Sequence, residues 1–162
     1  MPTDFEKLKP LILAAEGGVS DSASDSGGLT RLGISQRSYP DLNIASLTDD
    51  QCYLILEQDY WNYYRIGEIN DQTVAGQCLL LFINMPPEKA GNVIQAAIHG
   101  CGQEIAIDGV VGSVTLRSLN SLPAGWLSDR LRTEASRYYL QLTDENKAQV
   151  PNFRGWIRRV LL

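Results

Sequence analysis

Apolar residues recur at three- and four-residue spacing along most of the chain, which is the spacing of one buried face of an α-helix. The first such stretch runs from Asp4 to Glu16, with Phe5, Leu8 and Ile12 on its apolar face. Two glycines at 17 and 18 follow directly, and glycine ends helices because it adopts positive φ without strain. The pattern predicts a first helix whose last residue is Glu16.

Six further helices are predicted from capping residues and apolar periodicity. They begin near Thr48, Asp71, Pro87, Val114, Pro123 and Pro151. The helix at Thr48 has the residue types of a capping box, with Gln51 in the third helical position, and extends to about Tyr64. The helix after Pro123 extends to about Leu142 and is expected to direct four side chains inward: Trp126, Leu131, Ala135 and Tyr138. The chain is therefore predicted to be mainly α.

The glycine-rich stretch after the first helix breaks this periodicity, and we expect a tight loop there with a short strand, turn or hairpin. Further along, the loop at 84–87 divides the chain into residues 1–84 and 85–162. This loop is short, and we expect the two parts to pack as one body.

Composition and charge limit the function classes. The chain has 162 residues and a net charge of −5, which disfavours general nucleic-acid binding. No apolar run reaches the ~18 residues of a membrane span, so stable membrane insertion is not expected. The first residues lack the layout of a signal peptide, which predicts synthesis in the cytoplasm without one. Arginines make the C-terminal part basic, either as solvated helix faces or as a surface for an anionic polymer.

Thiol, imidazole and metal chemistry have little support. The cysteines Cys52, Cys78 and Cys101 are odd in number and lie in apolar helical contexts, which predicts buried free thiols. His99 is the only histidine and lies near a helix end, where a capping or packing role is expected. We therefore expect no histidine-dependent nucleophile, no metal site and no cofactor.

Glu16 is the strongest candidate for chemistry. Its carboxylate lies near the negative end of the helix dipole and beside apolar packing, and both effects raise the pKa of a carboxyl group. A protonated carboxylic acid near neutral pH is what general acid catalysis needs. The alternative is that Glu16 is a solvated surface residue before a glycine cap.

The residues around Glu16 resemble a known motif. Glu16-Gly-Gly is followed by Asp25, Gly27-Gly28, Thr30 and Gly33-Ile34, similar to the E-G-G and D-x-G-G-x-T-x-x-G-I signature of glycoside hydrolase family 108. These are the N-acetylmuramidases of phage and prophage lysis modules. Further similarity occurs at Tyr60-Trp61, at 108–115, which resembles the D-G-x-x-G-x-x-T of the family's peptidoglycan-binding region, and at the closing segment 153–159.

The resemblance implies a lysozyme-like helical globule that cleaves the β-1,4 bond between N-acetylmuramic acid and N-acetylglucosamine in peptidoglycan. Glu16 would be the general acid and Asp25 the second carboxylate, although Asp25 could instead shape the glycine loop as an Asx-turn residue. Asp21 is a third and weaker choice. A separation of about 5 Å between the carboxylates implies retention, and about 6.5–9.5 Å implies inversion.

Substrate contacts are expected from four residues: Thr30, Tyr39, Tyr60 and Trp61. Thr30 could fix Glu16 through a hydrogen bond or simply close the loop. Most of the aromatic residues in this part of the chain are expected in the core, with one or two lining a sugar-binding cleft.

Several departures from the family pattern leave a second function open. Val19 and Leu32 stand where the family commonly has aromatics, and losing two stacking faces is expected to reshape a subsite. The segment 79–87 also departs from the family's usual sequence. The alternative is a catalytically weak or inactive peptidoglycan-binding or secretion-accessory protein on the same scaffold. For an active enzyme, the resemblance implies action on the cell wall in the periplasm, reached through a holin-type membrane partner.

Overall fold

The structure is a computed structural model that describes residues 3–17, 19–20 and 29–162, with the backbone alone at 19 and 20. Seven α-helices lie in these ranges: α1 (Lys9–Glu16), α2 (Asp49–Leu56), α3 (Gln72–Asn84), α4 (Pro87–Gly100), α5 (Ser113–Ser121), α6 (Ala124–Glu145) and α7 (Val150–Val160). A π-helical segment, Glu57–Asn62, continues α2. Short 3-10 turns occur at Glu6–Leu8, Ile44–Ser46, Ile66–Glu68 and Lys147–Gln149. The mainly α prediction is confirmed.

Local capping explains where several helices begin. The Thr48 hydroxyl accepts from the Gln51 backbone N–H at 3.2 Å, and the Gln51 side chain accepts from the Thr48 N–H at 2.8 Å. The Asp71 carboxylate accepts from the backbone N–H groups of Thr73 and Val74, each at 3.0 Å. These bonds satisfy N–H groups that have no partner within the first helical turn, so both predicted caps are confirmed.

The loop after α1 contains the expected short strands. They are β1 (Val19–Ser20), β2 (Thr30–Arg31) and β3 (Ile34–Ser35), which form an antiparallel sheet in the order β1-β2-β3. In the turn between β2 and β3, Leu32 and Gly33 have φ of 47° and 82°. This turn brings Leu32 and Ile34 into the core.

The hydrophobic core includes residues from both predicted parts of the chain. Helices α3, α4 and α6 pack on one another, and α7 contacts α1 and α6. Cys52 and Cys78 are buried and Cys101 is partly buried, all as free thiols. His99 lies exposed in the last turn of α4. In the described ranges, no helix combines the length and apolar character that crossing a bilayer requires.

The predicted inner face of α6 needs a correction. Leu131 and Ala135 are buried as expected, but Trp126 is 69% exposed, and Tyr139 is buried in place of Tyr138. The buried residues recur every four positions, from Leu127 to Tyr139. Trp126 and Tyr138 each precede a member of this stripe by one residue, which rotates them about 100° away from the core.

Candidate active site

Glu16 is the last residue of α1, and Gly17 ends the helix with φ of 68° while donating its N–H to the Leu13 carbonyl at 2.9 Å. The carboxylate is not solvated, because the Glu16 side chain is only 5% exposed. The alternative of a solvated surface residue is therefore wrong. A buried carboxylate at this point is expensive unless its oxygens are bound.

Two polar side chains from distant helices reach the Glu16 carboxylate. Asn84 Nδ2, at the end of α3, donates to Glu16 Oε1 at 2.7 Å and to the Leu80 carbonyl at 2.9 Å. Arg159 Nε, near the end of α7, lies 3.6 Å from Glu16 Oε2 and donates to the Ala15 carbonyl at 3.3 Å. These donors stabilise the ionised carboxylate, whereas burial and the helix dipole oppose it.

Tyr139 shares this environment. Burial raises the pKa of the Tyr139 hydroxyl, Arg159 opposes this rise, and Glu16 adds to it. The phenol thus stays neutral beside the carboxylate and guanidinium. Sequence reasoning did not assign a role to Asn84 or Arg159. The sequence did indicate the segments that hold them. Asn84 lies in 79–87, which departs from the family's usual sequence, and Arg159 lies in 153–159, which resembles the family's closing segment.

Gly33 lets the turn between β2 and β3 approach Glu16 closely. A Cβ on Gly33 would lie 2.6 Å from Ile83 Cγ2 and 3.5 Å from Glu16 Cγ. The motif glycine is therefore required both by its positive φ and by the absence of a side chain. Ile83 directly precedes Asn84, so the turn, α3 and Glu16 meet at one point.

An aromatic groove of about 380 Å³ adjoins this point. Its lining includes Tyr39, Asp59, Tyr60, Tyr64, Ile83 and Asn84, together with the proline pair at 86–87. The Tyr39 hydroxyl donates to Asp59 Oδ2 at 2.8 Å. Burial raises the pKa of both Tyr39 and Tyr60, and the bond to Asp59 adds to the rise at Tyr39. Half-buried aromatic faces beside polar groups are typical of a sugar-binding surface.

The other sequence candidates lie in different settings. Trp61 is 7% exposed, contacts the Phe5 ring edge-on and belongs to the hydrophobic core. Thr30 is partly buried in β2, opposite Ser35. Asp25, with Asp21 and the glycines at 27 and 28, lies outside the described residues. Among the described residues, no cluster of His, Cys, Asp and Glu is suited to hold a metal ion.

The segment that begins at Asp108 forms a turn fixed by Gln95, which is 2% exposed on α4. Gln95 Oε1 accepts from the backbone N–H groups of Asp108 and Gly109 at 3.0 and 2.8 Å, and Gln95 Nε2 donates to Asp108 Oδ1 at 2.7 Å. The hydrogen bonds from the Gln95 side-chain amide and from the Val110 N–H lower the pKa of Asp108. Gly112 then precedes α5 as its N-terminal cap residue. These bonds give Asp108 a structural role in the turn.

A second groove, of about 640 Å³, lies between α4 and α6. Its lining includes two cations, Lys89 and Arg137, and two carboxylates, Glu134 and Glu145, with Asn92, Tyr138 and Gln141 among the other polar residues. Arg137 pairs with Glu134 at 2.7 Å. The groove therefore presents both charge signs and an aromatic face within residues 89–145.

Comparisons with known proteins show what the two parts of the chain resemble. Residues 10–85 match the glycosyl hydrolase 108 family model, and residues 89–161 match a predicted peptidoglycan domain. The structure of Brucella abortus SagA superposes with a TM-score of 0.74 at 23% identity, covering 97% of this chain and 93% of that one, which shows a shared fold. No curated protein matches the sequence significantly. Residues 10–85 therefore form a glycosyl hydrolase 108 domain, which indicates a glycoside hydrolase of the lysozyme type, and a predicted peptidoglycan domain follows it at 89–161.

Proposed function

We propose that this peptidoglycan hydrolase is an N-acetylmuramidase, which cleaves the β-1,4 bond between N-acetylmuramic acid and N-acetylglucosamine with Glu16 as general acid. The observation that carries the proposal is a buried Glu16 carboxylate held by Asn84, which itself lines an aromatic groove. A fixed carboxyl group next to a sugar-sized groove has the positioning that protonation of a glycosidic oxygen needs.

Glu16 would give its proton to the leaving oxygen as the glycosidic bond breaks. A second carboxylate would then stabilise or attack the oxocarbenium-like centre, or activate water on the opposite face of the sugar. We assign this role to Asp25, in keeping with its place in the family motif. Proton NMR of the first product anomer released by wild type distinguishes retention from inversion. Asp25→Asn is the variant that tests the assignment of Asp25.

The groove lined by Tyr39 and Tyr60 would hold the sugar rings next to Glu16. The Tyr39 hydroxyl is hydrogen-bonded to Asp59, which fixes the ring before substrate arrives. Less conformational entropy is therefore lost on binding. Thr30 lies on β2 and would contact the same glycan or Glu16. Tyr60→Ala should raise KM for glycan more than it lowers kcat, because stacking acts in both ground and transition states.

The central test compares Glu16→Gln with Glu104→Gln, which removes an exposed carboxylate elsewhere. Purified sacculi would be digested, reduced with borohydride and hydrolysed, and the reduced sugar identified by mass spectrometry. We expect muramitol from wild type and Glu104→Gln, and a loss of about 10²-fold or more for Glu16→Gln. Glucosaminitol would show that the enzyme cleaves the other glycosidic bond. Full activity of folded Glu16→Gln would exclude Glu16 as the acid.

A second candidate function is peptidoglycan binding without efficient hydrolysis. The groove between α4 and α6 favours it, because that groove lies wholly within the matched peptidoglycan domain and carries both charge signs. Such a lining suits the carboxylates and ammonium groups of peptide stems. Lys89→Ala/Arg137→Ala should weaken sacculus pull-down, with Arg117→Ala on α5 as the exposed control. Binding by wild type without release of reducing sugars would favour this candidate.

For the biological setting, we propose cell-wall lysis after synthesis in the cytoplasm and delivery by a holin-type membrane partner. The test is co-expression in a Gram-negative host. Lysis should require both the chain and a membrane-permeabilising protein, and lysis by the chain alone would contradict this route.

The division into a muramidase-like part at 1–84 and a peptidoglycan-binding part at 85–162 also remains a proposal.

A further inference from the structure

We propose that Arg159 is a positioning residue for Glu16, so that the two regions matched by different family models form one active site. Arg159 belongs to the region matched as a peptidoglycan domain, whereas Glu16 belongs to the hydrolase domain. The inference rests on the proposed role of Glu16 as general acid. It assigns the end of the C-terminal region to catalysis.

The geometry at the end of α1 carries this inference. Arg159 Nε lies within reach of two acceptors, the Ala15 carbonyl at 3.3 Å and Glu16 Oε2 at 3.6 Å. Carbonyls in the last turn of a helix have no intrahelical partner, and a cation there also interacts favourably with the helix dipole. Arg159 therefore bridges the backbone of α1 and the carboxylate that α1 carries.

The two oxygens of Glu16 are bound from different directions. Asn84 of α3 holds Oε1, and Arg159 of α7 approaches Oε2. Contacts from two directions hold the plane of a carboxylate more firmly than a contact from one direction. A general acid needs a fixed plane, because proton transfer depends on the direction of the O–H bond.

The sequence of α7 explains how Arg159 comes to face Glu16. Trp156 precedes it by three residues, which places both side chains on one helix face. The Trp156 ring stacks on Tyr139 of α6, with centroids 4.9 Å apart and an interplanar angle of 20°. This stacking docks α7, and Arg159 then lies over the end of α1. Among the described residues, the charged or titratable side chains beside Glu16 include Arg159 from α7 and Tyr139 from α6.

The test compares Arg159→Ala and Arg159→Lys with Arg158→Ala, which removes the exposed neighbouring arginine. We expect Arg159→Ala to lower kcat by about 10- to 100-fold with little change in KM. Arg159→Lys should lose less, since it keeps the cation but not the guanidinium geometry. Arg158→Ala should match wild type. Thermal unfolding of each variant checks that the loss is not a loss of fold.

Two further readouts separate positioning from general structural support. Removing a cation beside Glu16 disfavours the ionised carboxylate, so the alkaline limb of the pH–rate profile should move to higher pH in Arg159→Ala. Added methylguanidinium should restore part of its activity. Wild-type kcat in Arg159→Ala, or an equal loss in Arg158→Ala, overturns the inference. Full activity of Glu16→Gln instead overturns the proposed acid, so the two failures are distinguishable.

Discussion

Replacing Gly33 with alanine tests how closely the turn between β2 and β3 must approach Glu16. The new Cβ would lie 2.6 Å from Ile83 Cγ2, and ordinary van der Waals contact begins at 3.4 Å. Relief therefore requires a displacement of about 0.8 Å by Ile83 or the turn. Ile83 directly precedes Asn84, so a shift of this segment also moves the donor that holds Glu16.

The expected cost has two parts. Alanine at the positive φ of Gly33 costs about 1–2 kcal/mol of backbone strain. Crowding against Ile83 adds about 1–3 kcal/mol. Gly33→Ala should thus lower the free energy of unfolding by about 2–5 kcal/mol. A 1 Å misplacement near a reacting group can cost about 10²-fold in rate, so activity at a temperature where the variant is folded should fall by about tenfold or more.

Gly102→Ala is the matched control. Gly102 also has positive φ, of 87°, but a Cβ there would meet no heavy atom within 4 Å. This variant should show the backbone cost without the crowding or the activity loss. Urea unfolding gives the stability of both variants, of Ile83→Ala and of the double variant Gly33→Ala/Ile83→Ala. Removing Cγ2 relieves the crowding, so the double variant should be about 1–3 kcal/mol more stable than additivity predicts. Equal costs at Gly33 and Gly102, with no coupling to Ile83, would refute this reasoning.

Three further predictions concern the rest of the fold. Gly91→Ala should destabilise the protein in urea unfolding, because a Cβ at 91 would overlap the Gly109 carbonyl. Gly125→Ala is the control and should not destabilise, because the space at 125 is open and alanine is the better helix former. The pKa of Asp108 is lowered in the folded protein, so its ionised form contributes stability above the unfolded value of about 3.9, and this contribution is lost as pH falls through the folded value. Stability should therefore decline less below pH 4 in Asp108→Asn than in wild type, with Asp41→Asn as control. On α6, Trp126→Gln should change stability by less than about 0.5 kcal/mol, whereas Leu131→Ala should cost about 2–5 kcal/mol in thermal unfolding.

The sequence predicted those features that depend on neighbouring residues. The caps at Thr48 and Asp71 are set by side chains within three positions of the helix start, so the residue types alone indicate them. The end of α1 at Glu16 follows from the glycine pair in the same way. The inner face of α6 was harder, because Trp126 and Leu127 are adjacent apolar residues and only packing against other helices decides which one is buried.

The partners of Glu16 depend on tertiary structure and could not be read from local spacing. Asn84 is 68 positions away in sequence, and Arg159 reaches Ala15 across 144 positions. Arg31 is the basic residue nearest to Glu16 after the glycine pair in the sequence. The structure pairs Arg31 with Asp49 at 2.8 Å and brings Arg159 to Glu16 instead. The family motifs indicated which segments matter, but only the packing of α7 on α1 and α6 explains why.

The departure at Leu32 illustrates the same limit and corrects an expectation about sugar binding. Leu32 is 1% exposed, has φ of 47° and packs in the core beneath the turn between β2 and β3. A residue in this position cannot offer its face to a sugar, so the absence of an aromatic there removes no stacking surface. Its consequence falls on the turn, where a side chain must fill the core at a strained φ. The stacking faces that we propose for the site are those of Tyr39 and Tyr60, which line the groove beside Asn84.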